Sequence, residues 1–119
     1  MSYVDGFVLA VPTARKQEFI EHATRANAVF IEQGALRSFE CWGDDVKAGR
    51  QTDFPRSVQA TAEETVVFSW IEWPDKATRD RAMTMIEAEM MESMKDEPMP
   101  FDGKRMVLGG FAVISDKRG

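Results

Sequence analysis

The chain repeats one pattern of secondary structure twice. A β-rich segment ends in proline, at Pro12 and again at Pro74, and each proline precedes a segment whose apolar residues have helical spacing. A glycine, Gly34 or Gly103, then opens the next strand. Proline interrupts strands and helices because it lacks the backbone N–H, and glycine accepts the left-handed conformation in which many helices end. The pattern predicts a duplicated βαβ unit.

Six elements follow from this pattern, in the order strand, helix, strand, strand, helix, strand. We expect Thr13 to cap the first helix and Asp75 or Thr78 to cap the second, which runs to about Met94. Residues 54–60 are predicted to extend a neighbouring β-ribbon. The strands are predicted at residues 3–11, 36–44, 64–73 and 105–114, and the first helix at residues 14–33.

Right-handed crossovers place both helices of such a unit on one face of a four-stranded antiparallel sheet. The predicted fold class is therefore α+β, a ferredoxin-like βαββαβ domain. It takes up the whole chain, residues 1–119, with a frayed tail at residues 116–119. A chain of 119 residues has the length of one domain.

Three of the predicted strands are apolar on both faces of the sheet, because alternate side chains point to opposite faces. No segment is left over to cover the second face, so we predict a homodimer in which two sheets pack face to face. The alternating sets are Val4, Val8 and Ala10 against Phe7, Leu9 and Val11; Val66, Phe68 and Trp70 against Val67, Ile71 and Trp73; and Val107, Phe111 and Val113 against Leu108, Ala112 and Ile114.

Composition excludes several classes of protein. Asp and Glu number 20 against 15 Lys and Arg, giving a net charge of -5, which argues against nucleic acid as a partner. No run approaches the ~20 apolar residues of a membrane span, and the N-terminus lacks the pattern of a signal peptide. The lone cysteine, Cys41, cannot form an internal disulfide. We therefore predict a cytoplasmic protein with no membrane partner.

The chain resembles the YbaA-like proteins, small uncharacterised bacterial members of the dimeric α/β-barrel superfamily. The resemblance implies the ferredoxin-like fold and the dimer, and it assigns no catalytic residue. Superfamily relatives include cofactor-free monooxygenases, haem-degrading enzymes, isomerases and dehydratases, which use a pocket between sheet and helices. The residues that carry the resemblance are 3–7 (YVDGF), 34–36 (GAL), 40–45 (ECWGDD), 66–70 (VVFSW), 79–80 (RD), 100–106 (PFDGKRM) and 109–111 (GGF).

Glu40 and Trp42 alternate along the second strand, so both project from one face of the sheet. A carboxyl group desolvated beside a tryptophan has a raised pKa, which suits a general base. The alternative is a structural ion pair between Glu40 and an arginine of the sheet or the dimer interface, and this pairing is what we expect. The candidate arginines are Arg37, Arg56 and Arg105.

His22, the single histidine, lies on the flank of the apolar stripe of the first helix, so it is either a second candidate acid–base residue or a boundary histidine bonded to a carboxylate. We favour the second reading. Arg79 lies where it either clamps an anionic ligand or forms an ion pair with Asp75 or Asp102, which we favour. Predicted walls of the ligand pocket are Trp42, Trp70, Trp73, Arg79 and Met83.

The acids of the polar loop, Asp44, Asp45 and Asp53, lack the spacing of a calcium loop and are interpreted as solvated charge. We predict neither a metal nor a cofactor. The predicted function is a homodimer that binds a small apolar or aromatic molecule between sheet and helices. The alternatives are a cofactor-independent enzyme of monooxygenase or isomerase type and a purely structural or stress-accessory dimer without a ligand.

Overall fold

The computed structural model of the protein describes residues 2–93 and 99–119. Within these residues, four strands and three α-helices alternate along the chain, with short 3-10 turns at Thr13–Arg15 and Gly103–Arg105. The elements are β1 (Tyr3–Pro12), α1 (Lys16–Glu32), β2 (Arg37–Trp42), α2 (Phe54–Ser57), β3 (Glu64–Trp73), α3 (Lys76–Ser93) and β4 (Val107–Ala112).

The four strands form one sheet in the order β2-β3-β1-β4, and every neighbouring pair is antiparallel. The long helices α1 and α3 cover the same face of this sheet. Phe19 of α1 packs with Leu9 and Val67, which are register partners on β1 and β3. Ile86 of α3 packs with Trp73 at the other end of β3. The predicted ferredoxin-like α+β fold is confirmed.

The ends of the two long helices follow local rules with one exception. Gly34 has a φ of +111° directly after α1, as a helix-terminating glycine should. The Asp75 carboxylate accepts the Thr78 backbone N–H at 2.7 Å and caps α3, as predicted. The predicted Thr13 cap is wrong, because residues 13–15 form a 3-10 turn and the Thr13 hydroxyl is 2.7 Å from the hydroxyl of Thr65. Met94, the predicted helix end, lies outside the described residues.

Residues 54–60 are not a β-ribbon, and this prediction is wrong. Asp53 accepts the backbone N–H of Arg56 at 2.8 Å, and Pro55 occupies the first turn of α2. Both features start a helix, because the aspartate satisfies a free N–H and proline needs none there. Val58, just after α2, packs on Ala10 of β1. This segment therefore covers one end of the second sheet face.

We call the rest of that second face the open face. Its three rows run across all four strands in register. The rows are Arg37, Glu72, Val4 and Phe111; Phe39, Trp70, Gly6 and Gly109; and Cys41, Phe68, Val8 and Val107. Val107 and Phe111 on this face are 48% and 60% exposed. The strands are therefore apolar on both faces, as predicted, and the segment around α2 covers only one end of the second face.

Candidate functional site

Glu40 and Trp42 lie on the helix-covered face of β2, opposite Ser69 and Val67 of β3. The Glu40 side chain is half-buried, and this desolvation raises its pKa above the usual value for glutamate. A hydrogen bond to the buried Ser69 side chain opposes that shift and is the smaller effect. The carboxyl group at this position therefore holds its proton to a higher pH than an ordinary glutamate.

Within the chain, the predicted ion pair between Glu40 and an arginine is wrong, whereas a pair across a dimer interface stays a prediction. Arg37 lies over the ring of Phe39, 4.5 Å from its centroid, and belongs to the opposite face of β2. The other two candidate arginines bind different acids: Arg56 binds Asp53, and Arg105 binds Glu64 and Asp102. Within the described part of the chain, Glu40 has no ion pair. Its environment is the one predicted for a general base rather than for a structural pair.

Trp42 and His22 lie at two ends of one aromatic cluster. Phe19 contacts Trp42 with ring centroids 6.5 Å apart and Phe101 with centroids 5.9 Å apart. The half-buried His22 meets Phe101 edge to face, also at 5.9 Å. The Nζ atom of Lys16 lies 5.1 Å from the Trp42 ring. His22 contacts this cluster directly, and Glu40 lies two residues before Trp42 on the same face of β2. Both candidate acid–base residues therefore lie on the helix-covered side of the sheet.

Arg79 is held by an acid that the sequence analysis did not single out. Its guanidinium lies 2.7 Å from the carboxylate of Asp5, which is 2% exposed, and this partner raises the pKa of Arg79. The Trp73 Nε1–H donates to the same carboxylate at 2.9 Å. The predicted partners Asp75 and Asp102 are wrong. Asp5 alternates with apolar residues that face the helices, so its position in β1 predicts a buried carboxylate. A buried carboxylate needs a positively charged partner.

The five predicted pocket residues do not converge on one cavity. Met83 and Trp73 pack together with Ile86 against the sheet, beside Arg79. Trp42 belongs to the aromatic cluster near Phe19. Trp70 is placed wrongly by the prediction, because it lies on the open face, with its ring 5.3 Å from Phe39 and 5.9 Å from Phe68.

The indole N–H of Trp70 has an unusual environment. Its Nε1 atom is buried and has no hydrogen-bond partner within the described residues. Buried polar groups in folded proteins almost always have a partner, because an unpaired donor has lost its hydrogen bond to water. The chain itself covers this donor, so no group from outside can reach it without a rearrangement of the face.

A groove of about 300 Å³ opens at the end of β2, where no pocket was predicted. It lies between the residues that follow β2 and the start of α2. Its lining residues are Cys41, Trp42, Gly43, Asp44, Asp45, Val46, Phe54, Val66 and Phe68. The acidic loop followed by Asp53 and Pro55 indicates that a helix begins here. The groove itself depends on how that helix packs against the sheet, which the local sequence does not specify.

Among the side chains that the structure describes, those of residues 2–89 and 99–119, no three of His, Cys, Asp or Glu are arranged to hold a metal ion. Every helix in the described part of the chain is too short or too polar to cross a bilayer.

The topology and the open sheet face define a ferredoxin-like α+β protein. Two solved structures described as dimeric ferredoxin-like proteins from an uncultured marine organism share this fold. One has a TM-score of 0.62 at 10% identity, and the alignment covers 100% of both chains. The other has a TM-score of 0.59 at 12% identity and covers 98% of this chain and 100% of the other.

The sequence comparison is more specific. Residues 2–103 match the model of a family described as protein of unknown function DUF1428, and the chain belongs to that family. It is 50% identical over 117 residues to the uncharacterized protein YbaA of Escherichia coli K12, covering 98% of this chain and 100% of the relative. The same identity and coverage hold for YbaA of Shigella flexneri. The resemblance to the YbaA-like proteins is confirmed.

Proposed function

We propose that this protein acts as a homodimer in which two copies pack their open faces together. The observation that carries the proposal is the exposed apolar surface of the open face, where Phe68, Val107 and Phe111 are 37%, 48% and 60% exposed. Burial of this surface against the same surface of a second copy would stabilise the assembly through the hydrophobic effect. The solved structures of the same fold described as dimeric support this proposal.

A pair of neighbouring residues on β4 gives a matched test. Val107 lies on the open face opposite Val8, whereas Leu108 lies on the other face opposite Phe7. Both are exposed, at 48% and 59%. Val107→Glu would place an unpaired charge in the interface and should weaken self-association by about tenfold or more. Leu108→Glu adds the same charge to the same strand and should leave it unchanged.

Light scattering of the two variants at equal concentrations measures this difference. Equal dissociation of both variants would assign the effect to damage of β4 and not to the face. Full association of Val107→Glu would contradict the proposed interface. We place the dimer in the cytoplasm, since the lone Cys41 needs no oxidising compartment.

A second candidate function is acid–base chemistry on a small apolar or aromatic molecule between the sheet and α1. The specific observation in its favour is Glu40, whose pKa is raised by burial and whose partner is the neutral Ser69. A desolvated carboxyl beside Trp42 suits proton abstraction from a bound molecule. If the bound molecule is not converted, the protein would be a binding protein for that molecule. The remaining alternative is a structural dimer without a ligand.

Mass spectrometry of protein purified under native conditions tests this candidate. A retained aromatic molecule would support binding, and its conversion into product would select an enzyme. Glu40→Gln should then abolish proton uptake linked to ligand binding, while Glu63→Gln, at an exposed position, should not. Unchanged proton uptake in Glu40→Gln would remove Glu40 from the proposed role.

A further inference from the structure

The groove at the end of β2 shares Trp42 with the aromatic cluster and Cys41 and Phe68 with the open face. Its volume of about 300 Å³ lies at the lower end of the range of about 300–1,000 Å³ that small-molecule sites occupy. Two aromatic side chains form its apolar wall. The rings of Phe54 and Phe68 meet edge to face at 6.0 Å and 83°, and they are 49% and 37% exposed.

The charged residues that line this groove are all acidic. Its nine described lining residues include Asp44 and Asp45 and no basic side chain. Asp45 pairs with Lys47, but both side chains remain largely exposed, so this pair is weak and exchangeable. Asp44 has no ion pair within the described residues. Carboxylates and aromatic rings both attract cations, because the face of an aromatic ring carries negative charge density.

We propose that the groove binds a small organic cation with an apolar body, of the class of alkylated or protonated amines. The apolar body would contact Phe54, Phe68 and Val66, and the ammonium group would lie between the rings and the carboxylate of Asp44. Lys16 already lies over the Trp42 ring, so Trp42 serves as a wall and not as the cation-binding ring. A net charge of -5 also favours the approach of a cation.

The proposal does not depend on the dimer. The groove adjoins the open face through Cys41 and Phe68, so a second copy is the competing occupant. The two occupants differ in chemistry, because a cation requires the carboxylates at the rim whereas the partner sheet requires the apolar surface alone. Charge dependence therefore distinguishes them.

The experiment compares choline with dimethylbutanol, its neutral carbon isostere, by titration of isotope-labelled protein in nuclear magnetic resonance. We expect choline to shift the backbone amide signals of Gly43 and Val46, and dimethylbutanol to bind at least about fivefold more weakly. Asp44→Asn and Phe54→Leu should each weaken choline binding by about fivefold or more. The matched controls are Asp116→Asn, in the C-terminal tail, and Met85→Leu, at an exposed apolar position of α3 outside the groove and the open face. Both should stay within about twofold of the parent.

Equal binding of choline and dimethylbutanol would overturn the proposal, because charge would then play no role. Choline shifts that avoid the groove amides would overturn it as well. An absence of any effect of choline would reject the cation site. If Phe54→Leu then changes the dimer equilibrium, the second copy occupies the groove and the dimer proposal stays intact. Amide spectra of each variant confirm that α2 remains folded.

Discussion

The guanidinium of Arg79 binds the carboxylate of Asp5, with Nη2 2.7 Å from Oδ1, across a sequence separation of 74 residues. Nε of Arg79 lies 3.0 Å from the second oxygen, so the planar group binds in a forked arrangement. The Trp73 indole donates to the same carboxylate. This contact fastens the first turn of α3 to the centre of the sheet.

Asp5→Asn should destabilise the fold strongly. The substitution removes the charge that compensates Arg79, whose side chain is 22% exposed, and leaves a poorly solvated cation. We expect a loss of about 3–5 kcal/mol in the free energy of unfolding, measured by urea denaturation. Asp80→Asn removes an exposed partner of the same arginine and should change stability little. Equal effects of the two variants would show that the buried pair is not what stabilises this region.

Gly110→Ala should disturb the contact between Arg79 and Asp5 from β4, where Gly110 is the register partner of Asp5. A Cβ atom at Gly110 would lie 2.9 Å from Nη2 of Arg79 and 2.8 Å from Cε2 of Tyr3, and it would overlap the Tyr3 hydroxyl. Because the ion pair with Asp5 holds the arginine in place, we expect a loss of about 1–3 kcal/mol. The control is Gly103→Ala, where a Cβ meets nothing within 4 Å. A stable Gly110→Ala variant would mean that Arg79 and Tyr3 move freely.

Glu40→Gln should change the dependence of stability on pH. The pKa of Glu40 is raised in the folded protein, so folding favours the protonated carboxyl. Its contribution is therefore fully present below the ordinary glutamate pKa and is lost as pH rises through the raised value. Glutamine stays neutral, so the variant should match the parent in acid and equal or exceed it at neutral pH, within about 1 kcal/mol. A marked loss of stability at neutral pH would instead indicate a charged partner.

Glu64→Gln should have the opposite effect. The side chain of Arg105 and the backbone N–H of Thr61 lower the pKa of Glu64 to about 2. This contribution is present above the ordinary pKa of 4.5 and is lost as pH falls through about 2. The parent should therefore be more stable than the variant at neutral pH, and thermal unfolding curves should converge in strong acid. Curves that stay apart at the lowest pH would exclude this ionic origin.

Local sequence signals predicted most of the fold. β3 occupies residues 64–73 as predicted, because an apolar and β-branched run ends directly at Pro74. Gly34 likewise marks the end of α1. The error at α2 came from reading the apolar residues of 54–60 as a ribbon, although Asp53 and Pro55 together indicate a helix start.

The candidate site was less predictable because its contacts are long-range. Strand parity correctly placed Glu40 and Trp42 on one face of the sheet, and the absence of an arginine partner within the chain follows from the positions of other chain segments. Parity also separates Trp70 from Trp73, which are three residues apart on one strand, so their assignment to one pocket ignored a signal in the sequence. The contact between Asp5 and Arg79 joins elements whose approach local patterns do not specify.

Sedimentation equilibrium of the unmodified protein at micromolar concentrations tests the central claim most directly. The exposed apolar surface of the open face predicts a single species near twice the chain mass of 13.5 kDa. A species that stays at 13.5 kDa across the concentration range would contradict the proposed dimer.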